Sequence, residues 1–172
     1  MLSGNRVVSL ANGDADMAIR PVRPTDEQLF GRKMTDIRWA IDGATEIQNR
    51  STGSPDLEAI GFGGGSLAEK TMELQMERIK ASNSRLFSDS LILTASLAAN
   101  SGAQCFIPLV LGEQWPSLTR KSDPFEHEFG VLWIVCHKDL RRNARVRVVF
   151  EYLIEAAKKD PELFQGPMTD RN

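Results

Sequence analysis

The strongest constraint on the fold is a strand–helix–strand pattern in the middle of the chain. Ser84–Phe87 has the composition of a short strand, and Ala103–Ile107 is a second strand that Pro108 stops. Between them, Asp89–Ser101 is a helix rich in leucine and alanine, which ends at Gly102. A helix that is apolar almost all round, set between two strands, predicts a βαβ unit with parallel strands and a right-handed crossover. This pattern indicates the α/β class.

The start of that helix is the first candidate for a functional site. Ser88, Asp89 and Ser90 precede its apolar residues, and each is an N-cap candidate. In open α/β folds, ligands bind beyond the carboxyl ends of the strands and near helix N-termini. This rule indicates where a site would lie without naming its chemistry, and the residues themselves indicate capping of the helix.

Other segments with strand character flank this pattern on both sides. They are Asp14–Arg20, Gln28–Asp42, Leu57–Phe62 and Val131–Cys136. The last of them is a continuous apolar run, which is typical of a central strand covered on both faces. The alternation of strands and helices along the chain supports the α/β assignment.

Helical periodicity is clearest near the C-terminal end. Apolar residues recur at helical spacing over 146–157, and Asn143 can cap the start of that helix. Two further helices are predicted over residues 5–12 and 67–80. Residues 163–172 are predicted to form a tail.

Composition and charge exclude several classes of function. The formal net charge of the 172 residues is -2, so the chain has no overall basic field to hold a nucleic acid through its phosphates. No apolar stretch approaches the ~20 residues of a membrane span. The N-terminus has no signal-peptide pattern. These features predict a cytoplasmic protein that contacts neither a membrane nor, directly, a nucleic acid.

Residues suited to catalysis or metal binding are scarce. Cys105 and Cys136 lie in apolar runs, as buried reduced thiols do, and the only histidines are His127 and His137. Neither histidine forms a recognisable nucleophile–base pattern, and neither has metal-ligand spacing with the cysteines. We therefore expect no enzymatic activity, no metal and no cofactor. A small α/β enzyme is kept as the least favoured of three hypotheses for the chain.

A glycine cluster and a basic run each have a structural and a functional interpretation. Gly61 and Gly63 fit the first two positions of a dinucleotide fingerprint, but Ser66 occupies the third, so a flexible turn is favoured over a phosphate cradle. The basic run surrounds the start of the last helix and comprises Lys138, Arg141, Arg142, Arg145 and Arg147. It could contact DNA or an anionic partner. Because no aromatic residues are interleaved with it, a solvated helix face is favoured.

Three segments together resemble the C-terminal effector domain of LysR-type transcriptional regulators. Residues 132–147, LWIVCHKDLRRNARVR, resemble the family's final strand, its His-x-Asp-Leu-Arg-Arg turn and its closing helix. Residues 14–20, DADMAIR, resemble a strand of the first lobe. Ser88, Asp89 and Ser90, together with residues 100–108, resemble the helix and strand of the second lobe. Their order and spacing also match, so the resemblance runs from about Asn5 to Ala157.

The resemblance implies a periplasmic-binding-protein-like (type 2) α/β fold of two lobes with mixed sheets. Residues 1–42 and 115–172 would form the first lobe with the crossing strands, and residues 43–114 the second lobe. A small effector, typically an organic anion, would lie in the interlobe cleft, and its binding would be transmitted through the arrangement of a homo-oligomer. The resemblance implies these effector-binding residues: Arg20, Gly63, Gly64, Ser88, Asp89, Ser90 and Pro108.

Arg20 has two possible roles within that scheme. Its guanidinium at the end of a strand suits an anionic ligand. An ion pair with a nearby carboxylate, which would stabilise the hinge, is the alternative.

The chain departs from the family pattern on its N-terminal side. The family begins with a winged helix-turn-helix and a long linker helix, and we expect neither here, nor the first strand and helix of the first lobe. An incomplete first lobe would leave an open sheet edge, which favours pairing with a second copy. Two hypotheses follow. The chain is either an effector-sensing regulatory domain or a truncated oligomerisation protein without ligand sensing.

Overall fold

The computed structural model describes residues 9–10, 12–45, 59–62 and 86–167, which belong to two compact units. The central unit holds the described residues between Trp39 and Phe125, and the terminal unit holds those up to Arg38 and from Glu126 onward. The predicted site residues Gly63 and Gly64, the predicted helix over 67–80 and most of the one over 5–12 lie outside the described residues.

The described elements follow one another along the chain as short strands and helices. In order they are β1 (Met17–Arg20), β2 (Leu29–Asp36), β3 (Trp39–Ala44), β4 (Ile60–Phe62), β5 (Leu86–Ser88), α1 (Leu91–Ser101), β6 (Gln104–Pro108), α2 (Leu109–Gly112), β7 (Leu118–Arg120), β8 (Val131–His137), a 3-10 helix (Lys138–Arg142), α3 (Ala144–Lys159) and α4 (Pro161–Gln165).

The terminal unit contains a sheet in the order β1-β8-β2, and both pairings are antiparallel. The apolar run of β8 is therefore central, as predicted, and Met17 and Phe30 both lie opposite Cys136. The predicted single extended segment over residues 28–42 was wrong, because β2 ends at Asp36. The next two backbone amides bond to residues outside the strands of this sheet. The Ile37 N–H donates to the Gly130 carbonyl at 2.8 Å, and the Arg38 N–H donates to the Phe164 carbonyl at 2.9 Å.

Helix α3 covers one face of this sheet. The Asn143 side chain accepts a hydrogen bond from the Arg145 N–H at 2.9 Å, which confirms the predicted cap. Three apolar residues of the predicted periodicity, Val146, Phe150 and Ile154, are buried against Ile134 and Cys136 of β8. Val149, which the same periodicity includes, is exposed. Burial of this stripe holds the helix in place, since a helix of this length gains most of its stability from packing.

The predicted C-terminal tail was wrong in part, because α4 begins at Pro161. Proline suits the first helical position, where its missing N–H leaves no bond unmade. The Asp160 side chain accepts from the Leu163 N–H at 3.2 Å and caps the helix. The bond between Arg38 and Phe164 then ties α4 to the end of β2.

The central unit contains an antiparallel sheet in the order β6-β3-β7 and a parallel pair, β4-β5. Ala59, just before β4, also forms a parallel bridge to Gln104 at the start of β6. The predicted strand–helix–strand pattern is thus present, but β5 and β6 are not paired with each other, because β4 lies between them. Gly102 ends α1 with φ 76°, a left-handed conformation that glycine adopts without strain.

The core of the central unit forms where α1 packs on these strands. Ala95 and Ala98 are fully buried against strand residues that include Ile60, Cys105 and Ile107. The small alanine side chains let the helix approach the sheet closely. This packing holds α1 against the strands, and the Ser90 cap marks where the helix begins.

Candidate functional site

The carboxyl end of β5 and the start of α1 form the candidate site of the central unit. Strands β4 and β5 run parallel, and Phe62 lies opposite Ser88 in their register. Their carboxyl ends therefore lie side by side, and the chain passes from β5 into α1 through Asp89 and Ser90. Ligands in α/β folds bind at this kind of position.

Two serine hydroxyls organise the turn into α1. Ser88 is buried, and its Oγ accepts a hydrogen bond from the Ser90 N–H at 3.0 Å and donates one to the Ser90 carbonyl at 3.1 Å. Ser90 is the N-cap, since its backbone is extended and its Oγ accepts from the Leu93 N–H at 3.4 Å. Both hydroxyls hold the turn, and Asp89 between them is exposed. Contact of these residues with a ligand stays a prediction.

The other two described site residues, Arg20 and Pro108, each end a strand. Arg20 lies opposite Trp133 at the end of β1, is partly buried and has an interaction partner within the protein. Pro108 is buried at the end of β6, opposite Trp39, and leads into α2. The structure thus brings Ser88, Asp89 and Ser90 into one turn, places Pro108 in the same unit and places Arg20 in the terminal unit.

A buried carboxyl group in the central unit was not anticipated from the sequence. Asp42, in the middle of β3, is 4% exposed and lies opposite Cys105 on one side and Arg120 on the other. Burial raises the pKa of Asp42; the Arg120 charge opposes this rise, whereas the Glu113 charge adds to it. The alternation of apolar and polar residues along a strand could not predict that Asp42 is buried, because the residues on both faces of β3 are buried.

The same environment makes the neighbouring thiol unreactive. Burial, together with the charge of Asp42, raises the pKa of Cys105 to about 12. A thiol needs its thiolate form to act as a nucleophile, so at neutral pH this side chain is inert. The position of Cys105 between β3 and α1 is that of a packing residue.

Both histidines accept hydrogen bonds within turns. The His127 Nδ1 accepts from the Phe129 N–H at 3.1 Å, and the His137 Nδ1 accepts from the Asp139 N–H at 3.4 Å. Each ring thus stabilises the turn that follows it. In the described ranges, no group of three or more His, Cys, Asp or Glu side chains is placed to hold a metal ion. Among the helices described above, none is long and apolar enough to cross a membrane.

Comparison with solved structures identifies this fold as that of the regulatory domains of LysR-type transcriptional regulators. The CrgA regulatory domain of Neisseria meningitidis is similar at 17% identity with a TM-score of 0.63, over 86% of this chain and 78% of that domain. The effector domain of AmpR from Pseudomonas aeruginosa is similar at 13% identity with a TM-score of 0.64, over 89% of this chain and 77% of that domain. The full CrgA structure is similar at 16% identity with a TM-score of 0.60, over 86% of this chain and 54% of CrgA.

The predicted fold class, the periplasmic-binding-protein-like type 2 fold, is confirmed by these similarities. No protein-family model matches the sequence, and no curated protein matches it significantly. At this level of identity the similarity establishes the architecture, and the function has to be argued separately.

Proposed function

We propose that the chain is the effector-sensing domain of a LysR-type transcriptional regulator in the cytoplasm, and that it binds a small organic anion. The observation that carries this proposal is the shared fold, which in CrgA and AmpR belongs to regulatory or effector domains. The chain spans about half the length of full CrgA. DNA recognition and signal transmission through an oligomer are therefore proposed for the whole regulator.

The turn at the start of α1 supports the choice of an anion. The first amides of a helix have no acceptor within the helix, and the helix dipole favours negative charge there. Ser88 and Ser90 hold these amides in position, while the exposed Asp89 limits how close a second negative charge can come. We propose that Arg20, Gly63, Gly64 and Pro108 also border the effector, whose predicted position between the lobes stays a prediction.

Ligand-induced stabilisation tests this proposal. A small organic acid that binds the folded domain raises its melting temperature as the acid concentration rises, and the neutral amide of the same acid does not. We expect Arg20→Gln to reduce this stabilisation. Arg145→Gln removes the same charge from an exposed position on α3 and serves as the matched control. If none of a broad set of organic acids stabilises the chain, that result favours the second candidate over sensing.

The second candidate function is self-association, and it is supported by the position of β1 at the edge of the described sheet. In the described part of the terminal unit, β1 pairs only with β8. Ile19 is 49% exposed at this edge, and Val149 and Tyr152 of α3 are exposed as well. Unpaired strand edges next to apolar side chains invite pairing with another strand. An antiparallel pair of β1 strands would extend the sheet across two copies of the chain.

Charge complementarity specifies the register of such a pair. If Ala18 lies on the two-fold axis, Met17 of one copy lies opposite Ile19 of the other, and Asp16 lies opposite Arg20. Apolar residues then face apolar residues, and each acidic side chain faces a basic one. A register centred on Met17 would instead place Asp16 opposite Ala18.

A cysteine crosslink tests this register directly. Residues opposite each other in an antiparallel pair have Cα atoms about 4.5–5.5 Å apart, which a disulfide can bridge. Under oxidising conditions Ala18→Cys should give a covalent dimer, and Ile19→Lys should shift the unmodified protein toward monomer in sedimentation. Val22→Cys is the control, since Val22 is more exposed than Ala18 but follows β1. Equal crosslinking of both cysteine variants would refute the proposed pairing.

A further inference from the structure

The side of α3 that points away from the sheet carries exposed apolar residues. Val148 is 62% exposed and Tyr152 is 69% exposed. The buried residues of the helix lie on its other side: Val146, Phe150, Ile154 and Ala157. A helix that packs one side on a sheet ordinarily places polar residues on the opposite side. Because Val148 and Tyr152 are one turn apart, they are neighbours, and they form an apolar patch where polar side chains are expected.

A charged residue bounds this patch at each end. Arg145 precedes Val148 by three positions, Glu155 follows Tyr152 by three, and both charged side chains are exposed. The spacing i, i+3, i+7 and i+10 keeps these residues on one side of the helix, and we call the four of them the outer face of α3. Within the part of the chain that the structure describes, neither Arg145 nor Glu155 has an ion-pair partner. The outer face therefore presents one positive and one negative charge that are not neutralised.

The neighbouring basic residues point in another direction. Arg147 lies 3.8 Å from Glu151 on the same helix. Arg141 and Arg147 line a groove of about 420 Å³ together with Arg32 of β2, and Arg145 does not line it. The structure thus divides the basic run of the sequence between two surfaces, the groove and the outer face.

We propose that two copies of the chain associate through the outer face of α3, with the two helices antiparallel. If the helices cross at the level of residue 150, Val148 of one copy lies opposite Tyr152 of the other. In the same register, Arg145 of one copy lies opposite Glu155 of the other. Each of these pairs occurs twice, because a two-fold axis relates the copies. Apolar side chains then cover each other, and each charge meets its opposite.

Charge complementarity selects this arrangement over its alternatives. Parallel helices would place Arg145 opposite Arg145 and Glu155 opposite Glu155. An antiparallel pair centred on Tyr152 would place Arg145 opposite Lys159. In the proposed register Lys159 is instead level with Arg141, which precedes α3 and turns to the groove. Like charges that face each other disfavour an interface, so the register centred on residue 150 is the favoured one.

This surface is separate from the edge of β1, and association through it does not depend on strand pairing. The outer face points away from the sheet, whereas the edge of β1 lies in the plane of the sheet. A contact between two short helix faces is smaller than the interfaces of stable dimers, so we expect a weak association. Tyr152 contributes to this contact and little to the stability of one copy, because its side chain is 69% exposed.

Charge reversal and its rescue test the pairing, by sedimentation equilibrium of the whole chain at several concentrations. Arg145→Glu and Glu155→Arg should each raise the dimer dissociation constant at least about tenfold, because like charges then face each other in both contacts. The variant with both changes restores opposite charges and should return to within about threefold of the wild type.

Arg147→Glu is the matched control, since it makes the same change in net charge on the side of α3 that lines the groove. It should change the dissociation constant less than about threefold. Ile19→Lys, at the edge of β1, should leave this association unchanged. Circular dichroism checks that each variant, changed at an exposed position, is folded.

Three results would overturn the proposal. One is a doubly changed variant that associates as weakly as the single variants, and another is equal weakening by Arg147→Glu, which would mean diffuse repulsion. The third is a wild-type chain that stays monomeric up to about 1 mM, which would assign the outer face to a partner other than a second copy. None of these results bears on the proposed effector site, because the outer face contains none of the residues predicted to bind effector.

Discussion

Replacing Ser88 by alanine should cost more stability than replacing the N-cap residue Ser90. The Ser88 hydroxyl is buried and makes two hydrogen bonds, at 3.0 and 3.1 Å, with the backbone of Ser90. Its loss leaves the Ser90 N–H without that acceptor in a part-buried turn, which costs about 1–2 kcal/mol, the lower part of the range for a fully buried group. The Ser90 hydroxyl makes one longer bond, 3.4 Å to the Leu93 N–H, so its removal should cost about 0.5–1 kcal/mol.

Urea unfolding of the two variants measures this difference. Both midpoints should fall with an unchanged slope, and that of Ser88→Ala should fall further. Ser90→Asp should restore most of the stability lost in Ser90→Ala, because aspartate caps helices equally well. Ser96→Ala, within α1, controls for the loss of a hydroxyl that holds no turn. A loss for Ser90→Ala that equals or exceeds that for Ser88→Ala would refute the assignment of the buried hydroxyl as the main support of this turn.

Three further predictions concern the buried carboxyl group and the closing helix. Burial raises the pKa of Asp42 above 3.8, so the folded state binds its proton more tightly than the unfolded state does. As the pH rises above 3.8, the free energy of unfolding of the wild type should therefore fall relative to that of Asp42→Asn. If chemical unfolding shows the same pH dependence for both proteins, this prediction is wrong. Phe150→Ala, at a position 3% exposed, should cost about 3–5 kcal/mol. Tyr152→Ala, at a position 69% exposed, should cost less than about 0.5 kcal/mol. Similar losses of stability for the two variants would contradict the assignment of the Phe150 face of α3 as the buried one. Asn143→Ala should cost about 1 kcal/mol in thermal unfolding, and no loss would contradict its role as the cap.

Local signals in the sequence were enough to locate the main elements. The stripe of apolar residues and the Asn143 cap predicted α3, and Gly102 correctly marked the end of α1. The apolar run of β8 predicted a central strand. These signals succeed because helical periodicity, caps and strand alternation depend on backbone geometry within one segment. The resemblance to LysR effector domains, carried by motifs in their order along the chain, predicted the fold.

Strand neighbours could not be predicted in the same way. The insertion of β4 between β5 and β6 rests on pairing with residues far away in the sequence. The break between β2 and β3 likewise depends on bonds from Ile37 to Gly130 and from Arg38 to Phe164. No window of sequence contains both partners of such a bond.

The start of the closing helix shows most clearly what each level determines. The sequence alone established that a basic run precedes an amphipathic helix, and it left contact with an anion and simple solvation as alternatives. Only the tertiary structure decided that Arg141 and Arg147 lie around one groove with Arg32 of β2, whereas Arg145 lies outside it. The reason is that two separate geometries must combine, the helical phase of α3 and the register of β2 against β8. Neither can be read from the charges themselves.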